Sequence, residues 1–261
     1  MFYKFIQGDE RELLEIFEKA VVGGSLKFTS VLAFNDPFEF KFNSIAPTRE
    51  AFDVWHQIHE PDRTTEELNN AWAAFSGPAA DWNTAFMPRQ SLLSRLNVLC
   101  LSQRWDSHLM WAHYACNHDG YAIIYQQDIV AAVSNLCNCQ AAVPVTYSES
   151  VPDLPWFEGP HYEMFEPLLS TKSAEWSYEQ EYRLILLSDT AKAACYEAVN
   201  PDLVAGVIFG SRASQVVVNR ALAIQRQRPD FIVQMISSKI GSYKLDAYDV
   251  EENTWRYSYM L

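Results

Sequence analysis

Leu13, Ile16, Phe17, Ala20 and Val21 recur at the i, i+3, i+4 spacing of a helix with one buried stripe. Asp9 and Glu12 form a capping box ahead of that stripe, and Gly23-Gly24 stops it. Phe2–Gln7 before the helix and Ser25–Ser30 after it read as strands, so the chain opens as strand, helix, strand. The pattern then changes. Ala51, Val54, Trp55 and Ile58 make one helical stripe, and Leu68, Ala71, Trp72 and Phe75 make another behind a Thr64–Glu67 capping box. Gly77-Pro78 breaks the chain, and a further helix is expected over Asp81–Leu96. Residues 48–96 therefore read as a helical insertion or lid within one domain.

Strands resume at Val98–Ser102. Asp106 is placed to cap a helix over Ser107–Asn117, which is apolar nearly all round and so expected to be buried. Gly120–Tyr125 and Val143–Tyr147 read as strands and His161–Leu169 as a helix. Leu203–Phe209 predicts a buried strand, followed by a turn at Gly210–Ser214, a helix ending at Pro229 and a strand at Phe231–Ile236. The tail from Tyr243 adds one edge strand. The fold class is α/β in the α+β sense, a single mixed-sheet domain over 1–261.

The chemistry concentrates in Trp176–Leu187, which reads as one continuous strand. Alternation puts Glu179, Glu181, Arg183, Ile185 and Leu187 on one face, and Tyr178, Gln180, Tyr182, Leu184 and Leu186 on the other. The first face begins with carboxylates and ends in aliphatics, so its far half is buried and its near half opens on a cleft. In that position Glu181 contributes little to packing, because exposed pairs are worth about 0–1 kcal/mol. The plain structural alternative is a surface ion-pair ladder of Glu181 with Arg183. Earlier, Asn35-Asp36-Pro37 is turn chemistry flanked by Phe34, Phe38 and Phe40, an anchored turn pinned to the core.

Composition narrows the classes. The net charge of −13 over 261 residues disfavours broad nucleic-acid binding through a basic surface. Five scattered cysteines imply no disulfide framework and fit a reducing cytoplasm. Met1–Ile6 runs directly into Gly8-Asp9-Glu10-Arg11, unlike a signal peptide, and no apolar run is long enough to span a membrane. His108, His113 and His118 do not align on one helix face, so no metal is expected, and His113 reads as a hydrogen-bonded core histidine or a cleft residue.

Four segments taken together carry a resemblance. Phe34-Asn35-Asp36-Pro37-Phe38-Glu39, then Leu109–Ala115 with Asn117-His118-Asp119-Gly120, then Lys172 with Trp176, and finally Tyr178-Glu179-Gln180-Glu181-Tyr182-Arg183 resemble the bacterial DUF2971 family of unknown function. More distantly, Glu179-Gln180-Glu181 is similar to the Glu-x-Glu element of ADP-ribosyltransferases. Tyr3 and Lys4 stand where that group has an Arg or His, and Thr29-Ser30 where it has Ser-Thr-Ser. This second resemblance implies a split β core and an NAD-consuming transferase or glycohydrolase, in the setting of a toxin or phage-defence effector. Glu181 would then stabilise the oxocarbenium-like state and Glu179 would orient or deprotonate a macromolecular acceptor of unknown identity. Tyr3, Lys4, Thr29, Ser30, Trp111, His113 and Arg183 would hold NAD. Two other readings remain: a non-catalytic nucleotide- or protein-binding protein using the same cleft, and a different hydrolase built on the carboxylates and His113.

Overall fold

The computed structural model of the chain describes residues 1–45, 47–76, 93–154 and 161–250. In order, the elements are β1 (Phe2–Ile6), α1 (Glu10–Phe17), β2 (Ser25–Ser30), β3 (Asn43–Ser44), α2 (Arg49–His59), α3 (Thr65–Ser76), β4 (Leu96–Ser102) and α4 (His108–Tyr114). They continue with β5 (Tyr121–Tyr125), α5 (Ile129–Ser134), β6 (Cys139–Pro144), β7 (Thr146–Ser148), β8 (Asp153–Leu154), α6 (His161–Ser170) and β9 (Thr171–Ser173). The remainder are β10 (Glu181–Leu187), β11 (Ala194–Ala198), β12 (Val204–Phe209), α7 (Gln215–Gln225), β13 (Ile232–Ser238) and β14 (Leu245–Asp249).

The Asp9 capping box forms as the sequence predicts, with Glu12 N donating to Asp9 and Asp9 N to Glu12. Thr64 and Glu67 make the second box, and α2 and α3 bear out the helical character of the insertion. Most of the helix expected over Asp81–Leu96 lies outside the described residues, but Leu96 opens a strand instead of closing a helix. The helix after Ser102 has Ser107 at its N-cap position, with no side-chain capping bond, and Asp106 does not cap it, its carboxylate being held by Arg104 at 2.8 Å. The expected strand Val143–Tyr147 is two strands broken at Val145, because Val145 N turns to bond Glu181 O. The helix expected to reach Pro229 ends at Gln225. In the Asn35–Pro37 turn, Phe40 is buried and Phe34 packs beside it, while Phe38 is 66% exposed under the Lys41 ammonium.

Ten strands form one mixed sheet, in the order β11-β2-β4-β1-β5-β12-β13-β14, with β10 and β6 continuing from β4. β4 is the branch point. One edge pairs with β10 along its whole length, from Leu96↔Leu187 to Ser102↔Glu181. The other edge meets β2 at Asn97 and Val98 and β1 only at Ser102. The sheet is therefore split between β1 and β2, and a cleft opens over the middle of β4. A strand covered on both faces should be continuously apolar, and Leu96-Asn97-Val98-Leu99-Cys100-Leu101-Ser102 is largely so, with Leu99 and Leu101 on one face and Leu96 and Val98 on the other.

One face of the sheet packs under α1, α5 and α7 around Phe17, Tyr121, Leu184, Phe209 and Val218. The opposite face carries two separate apolar clusters. One holds Phe40, Val98, Leu169 and Ile185; the other holds Phe5, Trp111, Ile124 and Ile208 beneath α4. The cleft lies between these two clusters.

After α4 the chain turns through three consecutive left-handed residues, Cys116, Asn117 and His118 (φ 50°, 51° and 73°). Such residues cost energy and persist only where packing over-determines them. Here Gly120 N bonds Ala115 O, and a Cβ on Gly210 would stand 2.1 Å from the His118 carbonyl oxygen. Gly210→Ala must push this turn off the sheet. Urea unfolding should show it less stable by about 1–3 kcal/mol.

Candidate functional site

Trp176–Leu187 is not one strand. Ala174–Glu179 forms a 3₁₀ turn, Gln180 is left-handed (φ 43°), and β10 starts at Glu181. Side chains from Ser102 and Tyr147 impose the break: Ser102 Oγ donates to Glu179 O at 2.6 Å and Glu181 N donates to Tyr147 Oη at 2.8 Å. From Glu181 on, alternation holds, with Ile185 in the cluster of Phe40 and Val98, and Leu184 and Leu186 under the helices. Glu179 reaches the same place as Glu181 through the turn instead of through strand parity.

The carboxylates do not stand at an open edge. Glu179 and Glu181 are each 4% exposed and Arg183 is 0% exposed. Arg183 Nε donates to Glu181 Oε1 at 3.0 Å, Nη2 to Glu39 Oε1 at 2.6 Å and Nη1 to Leu169 O at 2.9 Å. Lys172, on β9, places its ammonium 2.7 Å from Glu179, 3.2 Å from Glu181 and 3.5 Å from Glu39. Tyr114 Oη donates to Glu179 Oε1 at 2.7 Å. Three carboxylates thus share two buried cations. The ladder of Glu181 with Arg183 exists, but inside the protein.

The two cleft carboxylates are driven apart. Burial raises the Glu179 pKa; Lys172 opposes and Glu181 adds to the rise, and the net direction is up. Burial works the same way on Glu181, but Arg183 and then Lys172 outweigh it and bring it down to about 2. Burial opposes the Lys172 charge, yet Glu181, Glu39 and Glu179 together raise its pKa. Burial and then Glu179 raise the Tyr114 phenol, which keeps its proton. Glu181 is a fixed anion, and Glu179 is the group able to take up a proton.

The cleft has a volume of about 350 Å³, at the small end of ligand pockets. Tyr3, Lys4, Thr29, His113, Glu179 and Glu181 all line it. Three other expected ligand residues do not. Trp111 is fully buried, its Nε1 tied to Trp105 O at 2.6 Å, because α4 turns that face onto β1. Ser30 is buried, with its hydroxyl accepting from Leu32 N. Arg183 is enclosed by its carboxylates. His113 is exposed at the cleft, not in the core, and its Nδ1 is 3.1 Å from Tyr178 Oη. Asn35 and Tyr114 line the cleft, Lys172 bridges its carboxylates and Glu39 closes the cluster, and sequence reasoning gave none of the four a binding or catalytic role. The only signal available was that all four lie in or beside the segments carrying the family resemblance. Among the described residues no group of His, Cys, Asp and Glu is arranged to hold a metal ion, and no helix is long and apolar enough to cross a membrane.

Fold and site together define a mixed α/β protein with a split sheet and a carboxylate-walled cleft. Residues 110–184 match the family model described as a protein of unknown function, DUF2971. That stretch holds Tyr114, Lys172, Glu179, Glu181 and Arg183, and stops short of Glu39. No curated protein and no solved structure matches the chain.

Removing one partner of a buried ion pair is expensive, roughly 3–5 kcal/mol. Arg183→Met should lose about that much in denaturant unfolding, and Glu39→Leu with Glu181→Leu on the same background should recover a large part. Glu181→Gln should also destabilise, contrary to the expectation for an exposed carboxylate. The pH dependence follows from the same contacts. The Glu181 pKa is depressed from 4.5 to about 2, so its contribution is complete above 4.5 and is lost as pH falls toward 2. Glu179 has the opposite sign, because its raised pKa makes its contribution greatest at low pH. Wild-type melting temperature should therefore fall more steeply between pH 4.5 and 2 than that of Glu181→Gln.

Proposed function

We propose that the cleft binds NAD and that the protein breaks the nicotinamide–ribose bond, as an ADP-ribosyltransferase-like or NAD glycohydrolase-like enzyme. The observation that carries this reading is the position of Glu179 and Glu181 at the cleft left by the split between β1 and β2. The cleft residues suit the ligand. Lys4, half-buried and without an ion pair to a described residue, offers a charge for phosphate. Thr29, Asn35 and Gln7 offer hydrogen bonds to ribose hydroxyls, and Tyr3 and Phe34 offer rings for stacking.

The transition state is oxocarbenium-like, with positive charge growing on the ribose. With Glu179 ionised, three carboxylates face two cations in the cluster, and the excess negative charge beside the cleft favours that state. Glu181 contributes through its fixed charge and by holding Lys172 and Arg183. Glu179 is the base toward the acceptor. A toxin or phage-defence role in the cytoplasm, with a macromolecular acceptor, fits such chemistry.

The second reading, a non-catalytic protein that binds a nucleotide or another protein in this cleft, is favoured by one observation: both oxygens of Glu179 are already engaged, by Tyr114 and Lys172. Labelled NAD, incubated with the protein and cell extract, separates the two. Glu179→Gln should keep NAD affinity and lower nicotinamide release on the order of a hundredfold, as loss of a general base does. Wild-type protein that binds NAD without consuming it supports the second reading, and neither binding nor turnover removes NAD as the ligand.

A further inference from the structure

Tyr114 has no catalytic part in the readings above, yet it lines the cleft beside Glu179 and is hydrogen-bonded to it. α4 carries it out from the cluster of Phe5 and Trp111, and its ring is half-buried at the cleft wall. Its hydroxyl donates to Glu179 Oε1 at 2.7 Å, and Asn35 from the facing loop lines the same cleft. A phenolic oxygen has one proton to give and two lone pairs. With the proton committed to Glu179, the lone pairs are left to accept from a ligand in the cleft. Glu179 is 4% exposed, its other oxygen is 2.7 Å from the Lys172 ammonium, and its backbone oxygen is held by Ser102. The phenol is thus a route by which a proton from the cleft can reach this carboxylate.

We propose that Tyr114 is a catalytic residue of this site, relaying the acceptor's proton to Glu179. The proposal rests on the NAD-cleaving reading. The acceptor is a hydroxyl-bearing molecule or water. As its oxygen bonds to the ribose anomeric carbon, its proton passes to Tyr114 Oη and the phenolic proton passes to Glu179 Oε1. The bond from that carbon to the nicotinamide nitrogen breaks, and its electron pair returns to the ring, which leaves neutral. Two protons move, the phenol ends as it began, and Glu179 ends protonated. Lys172 is a positioning residue for the relay, fixing the carboxylate.

The relay is tested by nicotinamide release in single turnover, measured in mixtures of light and heavy water. Wild-type protein should give a curved dependence on the heavy-water fraction, because two protons are in flight. Tyr114→Phe, which keeps the ring, should fold with the wild-type melting temperature within a few degrees. It should bind NAD equally well and release nicotinamide on the order of a hundredfold more slowly, with a linear dependence. A linear wild-type dependence, or a Tyr114→Phe protein as fast as wild type, overturns the relay and leaves the NAD-cleaving reading intact. A wild-type protein that releases no nicotinamide overturns both. Should Tyr114→Phe not fold, the wild-type dependence decides alone.

Discussion

A guanidinium with no solvent contact has to be neutralised by groups the fold delivers to it, and at Arg183 those groups come from distant parts of the chain. Glu39 arrives from the loop after β2, Glu181 from two residues upstream, and the Leu169 carbonyl from the end of α6. Lys172 then binds the same carboxylates from the other side and adds Glu179. A pair of this kind is poor evidence for net stability, since well-packed apolar residues often do as well. It does penalise alternatives, because any arrangement that misplaces one member leaves a buried charge unpaired. The loop at residues 34–41, β9 and the start of β10 are thereby fixed relative to each other, and all three border the cleft.

The cleft follows from the branching of β4. A strand has two edges, and β10 occupies one of them along its full length. On the other edge β2 and β1 take opposite ends, and between them the face toward α4 is covered by neither apolar cluster. Lys4, Thr29 and Cys100 line that gap, and the charge cluster closes one side of it. A packed sheet would have filled this space with side chains.

Two neighbouring carboxylates acquire different properties here without any difference in their own chemistry. Glu181 receives Arg183 and Lys172 and is held ionised; at Glu179 burial outweighs Lys172 and the Tyr114 phenol, and the group is pushed toward its protonated form. Environments that separate the pKa values of paired groups are the usual basis of acid–base assignment. The protein's large negative charge is a separate matter, spread over its surface, and the potential in the cleft is set by the few groups that wall it.

The sequence determined whatever depends on neighbours along the chain. Both capping boxes, the helical insertion, the opening strand–helix–strand and the two faces of Glu181–Leu187 follow from local hydrogen bonding and from the period of the apolar positions. The same local rules failed where a distant group intervened. Alternation extended the strand back to Trp176, but Ser102 and Tyr147 bind the backbone at Glu179 and Glu181, and Gln180 turns left-handed between them. The resemblance made Trp111 an expected ligand residue, while the side on which α4 lands put it in the core and left Tyr114 and His113 at the cleft. The charges of Glu39 and Lys172 were legible, but their meeting with Arg183 was not. Glu39 and Arg183 are separated by 144 positions, and only the closing of the chain around β4 decides that two such residues will share one buried site.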